Sequence, residues 1–114
     1  MKRATGSHTG TGTWLVQRAT ALALALLLPF LALRILAALP LDAEGWQAHF
    51  APAWSRVAWL AAALAVALHA WIGVRDVLMD YVKPTPLRLL LYLLVIAVLG
   101  GSVLWLMVLL WRVA

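Results

Sequence analysis

The sequence predicts an all-α membrane protein whose three transmembrane helices form part of a hetero-oligomeric helical bundle. Three observations support this fold class. Of the 114 residues, 66% are hydrophobic and 11% are charged, which leaves too few polar side chains to cover a soluble domain of this size. Three apolar runs approach or exceed the roughly 20 residues that a helix needs to cross a bilayer. Most basic residues stand at the ends of these runs, as they do in the flanks of membrane spans.

The three predicted spans cover residues 14–39, 57–79 and 89–111. A cleaved signal peptide is the alternative interpretation of the first run, and it is disfavoured because Arg18 interrupts the approach to the apolar stretch. The third span is the longest run without a charge. We therefore predict a single membrane domain over residues 14–114.

The segments outside the spans are polar or rich in turn residues. Residues 1–13 contain many Gly and Thr residues, so we expect a tail that is disordered or bound to a partner. Residues 40–55 predict a turn-rich connection between the first two spans. Two prolines within residues 80–86 predict a short break between the second and third spans.

Basic residues are distributed unequally between the two ends of the spans. One side carries Lys2, Arg3, Arg18, Arg75, Lys83 and Arg88, and the other carries Arg34, Arg56 and Arg112. The positive-inside rule therefore places the N-terminus in the cytoplasm and the C-terminus in the periplasm. Because the net charge of +5 arises from these flanks, we expect contact with membrane lipid and no nucleic-acid partner.

Several kinds of chemistry are excluded by what the sequence lacks. It contains no cysteine, which excludes disulfides, thiolate zinc sites and iron–sulfur ligation by this chain. It contains no phosphate-binding loop, dinucleotide-binding fingerprint, zinc-hydrolase motif or serine-hydrolase motif. Any metal would have to be bound by histidine or carboxylate side chains.

The second span has one small and polar face. At about 100° per residue, that face carries Ala58, Ala62, Ala65, His69, Gly73, Asp76 and Asp80. Small residues allow a neighbouring helix or a flat ligand to approach the backbone, so we expect His69 to point into a bundle. The opposite face is bulky, and we expect it, including Trp71, to face lipid.

His69 lies near the predicted midplane of the bilayer, where an imidazole costs free energy unless its nitrogens are engaged. Two interpretations are open: a neutral histidine hydrogen-bonded to a neighbouring helix, or a ligand of haem iron. No other histidine stands at that depth. A haem with two histidine ligands would therefore need the second ligand from another chain.

Other polar residues lie near the predicted membrane boundaries. We expect Arg18, Asp80 and Tyr81 to converge at one depth, in a pocket suited to a polar headgroup with an apolar tail. Asp76 is interpreted as an interfacial partner of Arg75 or of Lys83. At the other boundary, the side chains of Arg34 and Arg56 are predicted to extend to lipid headgroups, and His49 is predicted to be solvated.

Three short segments carry a family resemblance. They are Arg18-Ala19-Thr20, the stretch HAWIG at 69–73 and the stretch DYVKP at 80–84. Together with the length and the three-span layout, they resemble the small hydrophobic membrane-anchor subunit, the D subunit, of bacterial succinate dehydrogenase. The resemblance covers about residues 14–114.

This resemblance implies a membrane-anchor subunit of succinate:quinone oxidoreductase (respiratory complex II) that carries out no succinate chemistry itself. The implied partners are a flavoprotein subunit, an iron–sulfur subunit and a second cytochrome b anchor subunit in the bacterial inner membrane. Haem b and ubiquinone are the implied cofactor and substrate. His69 would be an axial ligand of the haem iron, Tyr81 would donate a hydrogen bond to a quinone carbonyl, and Asp80 would flank that site. Arg18 would lie near the haem propionates or the quinone.

Two functions of other classes remain open from the residues alone. One is a small transporter or channel subunit that moves protons or cations along a path through His69, Asp76 and Asp80. That path lacks polar residues on the outward side of His69. The other is a structural membrane anchor without a cofactor.

Overall fold

The computed structural model describes residues 7–113, with side chains described from residue 12 onward. This part of the chain contains four helices and no β-strand: α1 (Ser7–Ala38), α2 (Ala43–Phe50), α3 (Ala53–Tyr81) and α4 (Thr85–Val113). Three of them, α1, α3 and α4, are long and apolar enough to cross a membrane. The 29 residues of α3 rise about 43 Å, more than the roughly 30 Å of hydrocarbon. The predicted all-α class with three spans is confirmed.

Helix α1 begins earlier than the sequence analysis predicted. It starts at Ser7, so residues 7–13 of the predicted tail are helical, whereas residues 1–6 lie outside the described residues. No proline interrupts residues 7–13, so the backbone hydrogen bonds of the apolar run continue into the Gly- and Thr-rich segment. Pro29 lies inside α1 and leaves the carbonyl of Ala25 without its helical donor.

The connection after α1 contains a helix that the prediction of a turn-rich segment missed. Helix α2 is capped by Asp42, whose Oδ1 accepts a 2.7 Å hydrogen bond from the backbone N–H of Gly45. An aspartate at this position satisfies one of the free N–H groups of the first turn. Side chains at the far end of α2, those of His49 and Phe50, are buried, so α2 is part of the packed structure.

A short extended segment separates α3 from α4. The backbone N–H of Val82 still bonds to the carbonyl of Leu78 at 3.0 Å, and Val82 itself is extended. Pro84 prevents a continuous helix, whereas Pro86 is tolerated because it lies in the first turn of α4, where the backbone N–H groups have no helical acceptor. The predicted break between these spans is confirmed.

Helix α3 is the central element. It packs against α1 and against α4, and α2 contacts α3 and α4 near the start of α3, which we call the α2 end; the opposite end is called the Tyr81 end. Side-chain pairs such as Thr20 with His69 and Arg34 with Ser55 show that α1 and α3 run antiparallel. Trp71 and Tyr92 join α3 to α4.

Large apolar side chains remain exposed along all three long helices. Examples are Leu26 at 67%, Leu33 at 66% and Leu93 at 65% exposed. Exposed apolar surface of this extent needs lipid or other protein chains to cover it. The internal contacts are therefore concentrated on α3, which positions the polar groups described next.

Candidate functional site

His69 lies on the face of α3 that contacts α1. Its Nδ1 is 3.1 Å from the hydroxyl oxygen of Thr20, and the imidazole is half-buried. Ala62 and Ala65, on the same face of α3, are 4% and 7% exposed. The small face of α3 is thus turned inward, and the prediction that His69 points into the bundle is confirmed.

The bulky face of α3 does not face lipid as predicted. The rings of Trp71 and Tyr92 are in edge contact, with centroids 5.7 Å apart and an interplanar angle of 78°. Two aromatic rings in this geometry attract each other beyond the effect of area burial. Helix α4 covers this side of α3, so the lipid-facing assignment of Trp71 is wrong.

The structure does not bring Arg18 to Asp80 and Tyr81. The guanidinium of Arg18 stacks on Trp14, 5.2 Å from the ring centroid. In the antiparallel register set by Thr20 and His69, Arg18 lies opposite Trp71, so the backbones at Arg18 and Asp80 are separated by roughly 14 Å along the helix axis. The predicted convergence at one depth is wrong, because α1 and α3 are offset along their axes.

Asp80 and Tyr81 end α3 on an open surface. Both side chains are exposed, and that of Tyr81 is 79% exposed. Within the described part of the chain, neither side chain makes a hydrogen bond or an ion pair. Both groups are therefore accessible to a ligand or to another chain at the Tyr81 end.

A pocket of about 450 Å³ with both polar and apolar lining lies between α1 and α3 toward the Tyr81 end. Its lining consists of Thr13, Trp14, Gln17, Ile72, Arg75, Asp76 and Met79. Arg75 pairs with Asp76 at 3.4 Å, which confirms the predicted partner of Asp76. Two buried atoms in this lining, Oε1 of Gln17 and Nε of Arg75, have no hydrogen-bond partner among the described residues. One can accept and the other can donate a hydrogen bond.

A second polar cluster lies at the α2 end. Nη1 of Arg34 donates to the hydroxyl of Ser55 at 2.9 Å and lies 3.5 Å from Nε2 of His49. The guanidinium also stacks on Trp54, 4.4 Å from the ring centroid. Arg34 is therefore directed into the protein rather than toward headgroups, contrary to the prediction.

His49 is also placed differently from the prediction. Its side chain is 5% exposed, and its Nε2 accepts a 3.1 Å hydrogen bond from the indole N–H of Trp59. Burial first, and the positive charge of Arg34 second, lower the pKa of His49 below its usual 6.5, because both disfavour the charged imidazole. His49 was predicted to be solvated because its segment, outside the predicted spans, was expected to be exposed. The structure shows instead that His49 is buried in α2.

Arg56, in the first turn of α3, joins the end of α2 to the end of α4. Its Nη1 donates to the backbone carbonyls of Phe50 and Ala51 at 3.1 and 2.8 Å. The guanidinium also stacks on Trp111, 5.1 Å from the ring centroid. These contacts satisfy carbonyls at the end of α2, so Arg56 does not extend freely to lipid as predicted.

Sequence reasoning did not single out Gln17 and did not connect Thr20 with His69. The sequence of the first span could have indicated both the position of Gln17 and the contact of Thr20. Polar residues recur there at helical spacing within an apolar run: Thr13, Gln17, Thr20 and Arg34. All four lie on the side of α1 that contacts α3. A polar stripe inside a membrane helix indicates an interior-facing side.

These features define a class of protein: a multi-pass membrane subunit with one histidine inside its spans and exposed surfaces suited to other chains. The chain belongs to the succinate dehydrogenase/fumarate reductase transmembrane subunit family, whose sequence profile matches residues 2–109. It is 34% identical over 105 residues to the succinate dehydrogenase hydrophobic membrane anchor subunit of Coxiella burnetii (strain RSA 493 / Nine Mile phase I). That alignment covers 92% of this chain and 91% of the relative. The predicted family, that of the succinate dehydrogenase membrane anchors, is confirmed.

Proposed function

We propose that this chain anchors a succinate:quinone oxidoreductase in the membrane and binds haem b through His69, on a face shared with a second cytochrome b anchor subunit. The hydrogen bond between Thr20 and Nδ1 of His69 carries the proposal. One ring nitrogen is engaged inside the chain, and Nε2 has no hydrogen bond to any residue that the structure describes. Imidazole bound to metal characteristically has its other nitrogen hydrogen-bonded in this way.

The surroundings of His69 also fit a haem. Gly73, one turn of α3 from His69, is half-buried and has no side chain, so it leaves room beside the backbone. Among the described residues no group of three or more His, Cys, Asp or Glu side chains forms a metal site, so a metal at His69 would need further ligands from outside this chain. Haem supplies one-electron transfer when bound. In this proposal, His69 would hold the haem iron, and the positive charge of Arg18 would stabilise a carboxylate of the haem propionates.

The quinone site in this proposal lies at the Tyr81 end. The phenol of Tyr81 donates a hydrogen bond to a carbonyl of ubiquinone, and the carboxyl group of Asp80 holds or releases a proton beside it. Both side chains are exposed, and the pocket between α1 and α3 reaches Met79, two positions before Tyr81. Its apolar and polar lining suits a ligand with a polar headgroup and an apolar tail.

The remaining subunits are proposed from the chemistry that this chain lacks. Since the sequence contains no cysteine, it holds no iron–sulfur cluster through thiolates, and electrons from succinate must reach the quinone through an iron–sulfur subunit and a flavoprotein subunit. The basic flanks favour a cytoplasmic N-terminus and a periplasmic C-terminus in the bacterial inner membrane. The Tyr81 end then faces the cytoplasm.

Spectroscopy of the purified complex tests this proposal. Affinity purification through this chain should co-purify three other subunits, and the preparation should show flavin absorption and the reduced-minus-oxidised spectrum of a low-spin b-type haem. The identities of the co-purified chains would be established by mass spectrometry. A complex with flavin but without haem would refute the role of His69 and leave the anchoring role intact, whereas purification of this chain without the other subunits would refute both.

A further inference from the structure

The hydroxyl of Thr20 lies close to three polar atoms, two backbone carbonyl oxygens and one imidazole nitrogen. It is 2.9 Å from the backbone carbonyl of Val16, 3.0 Å from that of Gln17 and 3.1 Å from Nδ1 of His69. Thr20 is 7% exposed, so within this chain its hydroxyl is packed between α1 and α3. A threonine hydroxyl has one proton to donate and two lone pairs with which to accept.

We propose that Thr20 is a positioning residue that fixes the tautomer and the orientation of His69. The two carbonyl oxygens can only accept, so the proton of the hydroxyl is best directed to one of them. The hydroxyl oxygen then accepts a hydrogen bond from Nδ1–H of His69. If the hydroxyl instead donated to Nδ1, its lone pairs would face two carbonyl oxygens at 2.9 and 3.0 Å, with electrostatic repulsion in a region of low dielectric constant.

This arrangement determines which nitrogen of His69 is available. With the proton on Nδ1, Nε2 carries the free lone pair, which is the form in which neutral imidazole binds a metal. The hydrogen bond from Nδ1–H also increases the electron density on the ring and limits its rotation. Because Thr20 belongs to α1 and His69 to α3, correct packing of the first two spans prepares the ligand before haem enters. This inference rests on the proposed haem-binding role of His69.

The test compares two substitutions at Thr20 in the assembled complex. Thr20→Val has nearly the same shape but no hydroxyl, whereas Thr20→Ser keeps the hydroxyl. We expect Thr20→Val to weaken haem binding by roughly 10-fold to 100-fold. It should also raise the midpoint potential of the haem, because a ligand that donates less electron density stabilises the ferric state less. Thr20→Ser should resemble the wild type in both measurements.

The measurements are the haem content per flavin after incubation with an apoprotein that competes for haem, and a redox titration followed by the visible spectrum. The titration distinguishes positioning from a purely structural role, since loss of packing alone would not produce a shift that serine prevents. If the Thr20→Val complex does not assemble, Thr20→Ala provides the same comparison with serine. Wild-type haem affinity and potential in the variant without the hydroxyl would overturn the inference and leave the proposed function standing. Absence of haem from the wild-type complex would overturn both this inference and the proposed haem-binding role of His69, and it would leave the anchoring role intact.

Discussion

The indole N–H of Trp59 donates a 3.1 Å hydrogen bond to Nε2 of His49, which joins α3 to the end of α2. This nitrogen can accept only while it carries no proton. The guanidinium of Arg34 lies 3.5 Å from the same nitrogen, so addition of a second proton to the neutral imidazole would place two positive charges close together. The contact between α2 and α3 therefore depends on a neutral His49.

Acid is expected to destabilise the α2 end of the protein. Burial, and then the charge of Arg34, lower the pKa of His49 in the folded state below 6.5. The unfolded chain therefore binds this proton at a higher pH than the folded chain does, and the free energy of unfolding should decrease as the pH falls below about 6.5. Thermal unfolding in detergent between pH 7.5 and 5.5 measures this decrease.

Replacement of the two histidines outside the spans identifies the group responsible. His49→Gln keeps a hydrogen-bond acceptor but does not titrate, so the unfolding temperature of this variant should depend less on pH between 7.5 and 5.5. The matched control is His8→Gln, which leaves the cluster at the α2 end intact and should retain the wild-type dependence. Equal pH dependence in His49→Gln and the wild type would contradict the assignment.

The hydroxyl of Ser55 is expected to stabilise the contact between α1 and α3. Ser55 is 0% exposed and accepts a 2.9 Å hydrogen bond from Arg34, so Ser55→Ala should lower the free energy of unfolding by about 1–2 kcal/mol. Denaturation in mixed detergent micelles measures the change. Ser102→Ala is the control, because Ser102 is exposed and, among the residues that the structure describes, its hydroxyl bonds only to the carbonyl of Val98 in its own helix. Equal effects of the two substitutions would show that the bond to Arg34 contributes nothing.

Removal of the imidazole at His69 should abolish or alter the low-spin haem spectrum of the assembled complex. Leucine fills a similar volume without a ligand atom, so His69→Leu leaves the iron without its nitrogen ligand from this chain. The visible spectrum, normalised to flavin, measures the loss. His49→Gln should leave that spectrum unchanged. His49 lies at the α2 end beside Arg34 and bonds to Trp59, far along α1 from the contact between Thr20 and His69. An unperturbed spectrum in His69→Leu would exclude this residue as a ligand.

Hydropathy predicted the long helices well and the shorter features poorly. Three apolar runs of sufficient length leave few alternatives in a membrane, so the spans and the break near Pro84 were predictable. The start of α1 at Ser7 was not predictable, since Gly and Thr have low helix propensity. In the structure, the helix of the neighbouring apolar run extends through them. Helix α2 was missed because it is short and its packing against the spans is visible only in the structure, where His49 and Phe50 at its end are buried.

The candidate site was predictable where a single helix determines it. The small face of α3 follows from the helical period, and it correctly placed His69 toward a neighbouring helix. The relation of Arg18 to Asp80 depends on the axial offset of α1 against α3, which one helix cannot reveal. Contacts such as that of Trp71 with Tyr92 likewise depend on which face α4 covers, and a bulky apolar face suits a helix as well as it suits lipid.

Loss of one phenolic hydroxyl is expected to separate succinate oxidation from quinone reduction. Tyr81→Phe removes the proposed donor to the quinone carbonyl and keeps the ring, so quinone reductase turnover should fall about 10-fold, the equivalent of one hydrogen bond of roughly 1.4 kcal/mol. Succinate oxidation with a soluble artificial acceptor should be unchanged, because that reaction does not use the membrane site. Tyr92→Phe is the matched control, since Tyr92 packs against Trp71 within the protein and should leave both activities at the wild-type level. Unchanged quinone kinetics in Tyr81→Phe would remove this residue from the site, and a loss of both activities would indicate failed assembly of the complex.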